Sequence, residues 1–109
     1  MKRIALIIAA SLALEGTSAL AAEAKANYEQ HCQKCHGADG AGQTAMGKKL
    51  KVKDYSDAKV QAAMKDDEMA KVIKEGKKDG DKTLMKAFGE TLSDAEIKDL
   101  VKQVRSLKK

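Results

Sequence analysis

The chain has 109 residues, a formal net charge of +5, two cysteines, no tryptophan and no proline. That length supports one small domain with a limited core of its own. Basic and acidic residues are interspersed, which marks a solvated surface; the modest positive balance predicts attraction to acidic partners and argues against a nucleic-acid binder.

Met1-Lys2-Arg3 is a short basic start, and an apolar run follows from Ile4 to Leu14, broken by Ser11. After Glu15-Gly16-Thr17-Ser18 comes the small-residue pattern Ala19-Leu20-Ala21. This order predicts a secretory signal peptide over residues 1–21, cleaved after Ala21, and a periplasmic product. The apolar run is too short for a permanent anchor, so no stable membrane insertion is expected. Residues 22–109 then form one domain of 88 residues that carries +4 of the charge, since the leader holds Lys2, Arg3 and Glu15.

Ala22 to Cys35 reads as a helix, with Tyr28 and Cys32 one turn apart. Its end, Cys32-Gln33-Lys34-Cys35-His36, is the most informative stretch. Two cysteines three residues apart share one helix face, and a histidine follows at once. C-x-x-C-H is the attachment pattern of c-type haem, with both sulfurs bonded to one porphyrin and His36 as proximal iron ligand. A thiol–disulfide redox pair would need a βαβ context, which is missing. Zinc would need four ligands, and His31 beside Cys32 is badly placed to complete a tetrahedron; it reads as a packing or solvent-facing residue.

A glycine-punctuated loop is expected from Gly37 to about Asp54, able to wrap the proximal side of a haem. Ser56 is the expected cap of a helix holding Val60, Ala63 and Met64, and Asp66 of a helix with Met69, Val72 and Ile73 that stops at Gly76. Residues 77–90 read as a second long loop with an Asp-Gly turn at 79–80. The final helix carries a capping box, Ser93 and Glu96, and an apolar face of Ile97, Leu100, Val101, Val104 and Leu107. No strand pattern appears, so the fold class is all-α. Tyr28, Tyr55 and Phe88 are the only aromatic residues apart from histidine, which favours an interior filled by a haem.

Tyr28 and the C-x-x-C-H-Gly37 run at one end, with Leu84-Met85-x-Ala87-Phe88 and the apolar helix at the other, resemble the class I c-type cytochromes over residues 25–109. The resemblance implies three to five helices wrapped around one covalently attached haem c, with the N-terminal helix crossing the C-terminal one. It also implies His36 and Met85 as the two axial iron ligands. Placement along the chain separately favours Met85. Met46 follows His36 closely, Met64 and Met69 have the helical spacing of core residues, and Met85 falls in a loop. The chain departs from the family where Lys86 replaces a proline after the methionine. No proline stands near Ala45–Gly47, and Gln103 occupies a frequent tyrosine position.

These features predict a monomeric, exported carrier of single electrons between redox proteins, and not an enzyme. Lys34, Lys48, Lys49 and Lys86 are candidates for docking acidic partner surfaces, with plain solubilising lysines as the competing explanation. The alternative function is a haem-based ligand binder or catalyst with an open sixth position, which would follow if Met85 does not reach the iron.

Overall fold

The computed structural model describes residues 15–109; the basic start and apolar run of the expected leader lie outside these. Six helices and one hairpin follow one another: α1 (Glu15–His31), α2 (Gln33–His36), α3 (Ala45–Leu50), α4 (Ala58–Ala63), α5 (Asp66–Glu75), β1 (Lys77–Asp79), β2 (Lys82–Met85) and α6 (Asp94–Arg105). The described segments are mostly helical, as the patterning requires.

α1 packs on α6, and α5 packs on α6 beside it. Ala24 and Tyr28, one turn apart on α1, are buried, as are Ile97, Leu100, Val101 and Val104 on α6. Asn27 Nδ2 donates to Glu96 Oε2 at 3.2 Å and joins the two helices at their polar margin. α6 begins with the expected capping box: Ser93 Oγ accepts from the Glu96 amide at 3.1 Å and Glu96 Oε1 from the Ser93 amide at 3.0 Å. The core adds Ile73 from α5 and Phe88 and Leu92 from the approach to α6, with Cys32, Tyr55, Met69, Met85 and Leu107 packed against it.

Several expectations are corrected. The first helix runs Glu15–His31, not 22–35, and a separate turn, α2, carries Cys35 and His36. The glycine loop contains a helix, α3, capped by Thr44. Asp57, not Ser56, caps α4: its side chain accepts from the Lys59 amide at 2.7 Å, while Ser56 bonds back to Asp54. Lys65 is the cap residue of α5, and Asp66 its first residue, where a carboxylate favours the positive end of the helix dipole.

Residues 77–85 are not a loop but an antiparallel hairpin, with Lys78 opposite Thr83 and Asp79 opposite Lys82. The Asp-Gly turn is where expected, with Gly80 at φ 59°. The strands are three and four residues long and β1 is wholly exposed, so they carry no alternating apolar pattern from which pairing could be read.

Candidate functional site

The end of α1 delivers the motif. The Cys32 amide continues the helix by donating to Tyr28 O at 2.9 Å, and the His36 amide donates to Cys32 O at 3.0 Å. The thiols of Cys32 and Cys35 are therefore presented about one turn apart, half-buried and not joined to each other. Gly37 reverses the chain at φ 81°, and Tyr28 Oη donates to its carbonyl at 2.6 Å.

Behind His36 the glycine loop is fastened without proline. Thr44 Oγ1 donates to Cys35 O at 2.7 Å and accepts from the Gly47 amide at 2.8 Å, and the Gly42 amide donates to His36 O at 2.8 Å. Gly47 is demanded by close approach: a Cβ there would collide with Cys35 O and Gly42 O. Sequence reasoning missed Thr44 as a functional residue; its one signal was the cap preference of threonine three residues ahead of Gly47.

His36 faces a cavity of about 530 Å³. Cys32 and Cys35 line the same space, as do Met64, Met69 and Met85. Tyr28, Ile73, Phe88, Leu100 and Val104 give it an apolar wall. Tyr55 stacks on the imidazole, with ring centroids 5.0 Å apart and an interplanar angle of 29°. Nothing in the sequence spacing marks Tyr55 for that position. His31 also borders the cavity and tilts against Phe88 with centroids 5.3 Å apart, a packing role as expected.

Burial holds the His36 imidazole below its ordinary pKa, so it is neutral at neutral pH with a lone pair free for a metal. His36 Nδ1 is the one buried side-chain nitrogen or oxygen among the described residues without a hydrogen-bond partner. Cys32 is pushed up to about 11, by burial first and then by Cys35. A thiol so reluctant to ionise is a poor attacking group, which weighs against a thiol–disulfide enzyme. No group of three or more His, Cys, Asp or Glu side chains converges among the described residues, so a zinc centre has no ligand set. Two free thiols about one turn apart, a neutral, half-buried imidazole and a large, mostly apolar cavity fit a covalently held haem.

Met85 reaches this cavity from the end of β2, held by long-range contacts. The Phe88 amide donates to Ile73 O at 2.9 Å and the Gly89 amide to Lys74 O at 3.0 Å, fastening the segment after Met85 to the end of α5. Gly76, at φ 77°, lets that segment pass: a Cβ there would stand 2.6 Å from Met85 O and 2.8 Å from Ala87 N. The methionine assigned to a loop by its neighbours is thus the last residue of a strand. Met64 and Met69 face the cavity too, while Met46 is 37% exposed and does not. Of the four candidate docking lysines, Lys86 borders the cavity and Lys34, Lys48 and Lys49 do not; Lys51, Lys53, Lys65 and Lys77 border it as well.

The family model described as cytochrome c oxidase, cbb3-type, subunit III matches residues 19–102. The chain belongs to this family of class I c-type cytochromes. It is similar to the solved structure of the KustC0563 c-type cytochrome, at 37% identity and a TM-score of 0.71, over 79% of this chain and 98% of that one. A mutant of the same protein matches at 35% identity and a TM-score of 0.70, over 79% of this chain and 99% of the other. Among curated proteins none matches the cytochrome. The fold of this cytochrome is therefore the one its terminal motifs implied, six described helices and a small hairpin in place of three to five helices.

Proposed function

We propose that this cytochrome is an exported, monomeric carrier of single electrons, with one haem c bound through Cys32 and Cys35 and its iron ligated by His36 and Met85. The observation that carries the reading is the convergence of both thiols, the neutral imidazole and Met85 on one cavity. Haem, when bound, supplies a reversible one-electron iron couple. The chain's residues then have separate tasks. The thiols would hold the group permanently, and the bonds from Gly42 and Thr44 to the His36 and Cys35 carbonyls keep the backbone that carries the imidazole in place. Met85 offers a neutral thioether, which favours ferrous iron. Tyr28, Phe88, Leu100 and Val104 keep water from the interior.

Its partners are redox proteins, donors and acceptors with acidic surfaces. Lys51, Lys53, Lys65, Lys77 and Lys86 border the cavity with Glu68 as the one acidic residue among them, a positive mouth suited to steering such partners. No helix of the described residues is long and apolar enough to cross a membrane.

Mass spectrometry of protein exported by a host with haem-attachment machinery tests the reading. One haem per chain surviving acid denaturation, on a chain that begins at Ala22, is expected. An apo mass, or haem extracted by acidified organic solvent, overturns the covalent assignment. A ferric spectrum with no sulfur-to-iron band, together with free carbon monoxide binding by the ferrous form, overturns the electron-carrier assignment.

A further inference from the structure

Gln61 is 3% exposed, the most buried polar side chain of α4, although Val60, Ala63 and Met64 were the expected inward positions. A buried amide persists only where its polar atoms are matched. Here Nε2 donates to Tyr55 O at 2.6 Å and to Val104 O at 2.9 Å, and Oε1 accepts from Arg105 Nη1 at 3.1 Å. Arg105 reaches further. Its Nη1 also donates to Gln61 O, its Nη2 to Met64 O at 2.7 Å, and its Nε to Asp66 Oδ1 at 2.8 Å.

Two of these acceptors are carbonyls at the end of α4, where unpaired carbonyls and the helix dipole attract a cation. The third is the first residue of α5. One planar guanidinium therefore fixes the corner between two helices, which a flexible ammonium could not do with the same fork. Gln61 fixes the backbone of Tyr55 on the other side. Both held points reach the cavity: Tyr55 stacks on His36, and Met64 and Lys65 line the wall. With no proline anywhere in the chain to stiffen its loops, these contacts restrain the wall together with the Tyr55 amide's bond to Gly40 O at 2.8 Å and the Lys109 amide's bond to Ser56 O at 2.9 Å.

We propose that Gln61 and Arg105 form a clasp that positions the Tyr55–Met64 wall and so sets the environment of the iron, beyond its contribution to stability. The proposal rests on the haem reading above. Ferric iron carries one more positive charge than ferrous iron. A wall that loosens and admits water favours the ferric state, so loss of the clasp lowers the reduction potential. Gln61 and Arg105 are positioning residues, since neither lines the cavity itself.

The test uses holoprotein carrying Gln61→Met, which keeps the volume but loses both donors, or Arg105→Lys, which keeps the charge but loses the fork. Val101→Ala is the control: Val101 is 4% exposed in the core and borders a groove between α5 and α6, not the cavity. Both clasp variants are expected to lower the potential and speed carbon monoxide binding by the ferrous form. Amide exchange at Gln61 and Met64 should rise about tenfold, the equivalent of one charged hydrogen bond lost. Val101→Ala is expected to lose stability with potential and binding rate unchanged. If the clasp variants lose stability but match Val101→Ala in potential and binding rate, the clasp is structural alone and the proposal fails. Should Gln61→Met yield no holoprotein, Arg105→Lys carries the same comparison. Wild-type protein without covalent haem overturns the underlying site reading instead, and the mass shows this before any potential is measured.

Discussion

The segments on the two sides of the cavity are built on different principles. The His36 side is local: Cys32, Cys35, His36, Thr44 and Gly47 fall within sixteen consecutive residues, and the bonds that fasten them span at most nine positions. The Met85 side is assembled at a distance, from the end of α5, a hairpin and the approach to α6. Local assembly makes a site that a short motif can encode. Distant assembly leaves the choice of residue to the fold, which is why three methionines reach the cavity, while of its two histidines His31 is packed on Phe88 and His36 alone follows the two cysteines.

The largest effects should come from the local side. Replacing Cys32, Cys35 or His36 with alanine is expected to abolish or greatly reduce holoprotein, read as haem per chain by mass. On the distant side, Met85→Ala should leave haem attached but erase the sulfur-to-iron band, lower the potential and open the ferrous form to carbon monoxide. Axial chemistry tunes haem potentials over roughly 0.8 V, so the shift should far exceed measurement error. Met64→Ala and Met69→Ala, each half-buried, should cost about 1–2 kcal/mol in denaturant unfolding and leave the band intact. If Met64→Ala erases the band and Met85→Ala keeps it, the ligand belongs to the α4–α5 corner and the comparison must be redrawn.

A sharper probe of distant assembly is Gly76→Ala. The positive φ and the crowding against Met85 O predict a cost of about 2–4 kcal/mol and a weakened sulfur band. Gly80→Ala, in open space at the hairpin turn, should cost about 1 kcal/mol with the band unchanged. Equal effects at the two glycines would mean that Gly76 does not guide the Met85 segment. On the local side, Tyr28→Phe should cost about 1 kcal/mol by removing one buried hydrogen bond, since Gly37 O keeps only the longer bond from the Gly40 amide at 3.2 Å.

The smallest effect concerns the helix crossing that carries both sides. The Ser93 amide, then Asn27 and the Ser93 side chain, hold Glu96 below the ordinary carboxylate range. A carboxyl lowered on folding contributes stability that is complete above its unfolded pKa and lost as pH falls through its folded one. Glu96→Gln should therefore flatten the acid limb of the stability–pH curve and leave the neutral region nearly unchanged.

The sequence by itself determined the C-x-x-C-H run, the capping box and apolar face of α6, and the helical class of the chain. Each is encoded by neighbouring residues or by a period of 3.6, so no distant contact is needed to read it. It also pointed to Met85, by its place ahead of α6, but gave the wrong local structure, because seven exposed, lysine-rich residues carry no strand pattern. Tertiary structure alone decided that Gln61 is buried, that Arg105 reaches two helices, and that Tyr55 stacks on His36. Those arrangements depend on which carbonyls and rings the packed helices bring within a few ångströms. A polar or aromatic residue in a solvated-looking segment gives no sign of that beforehand.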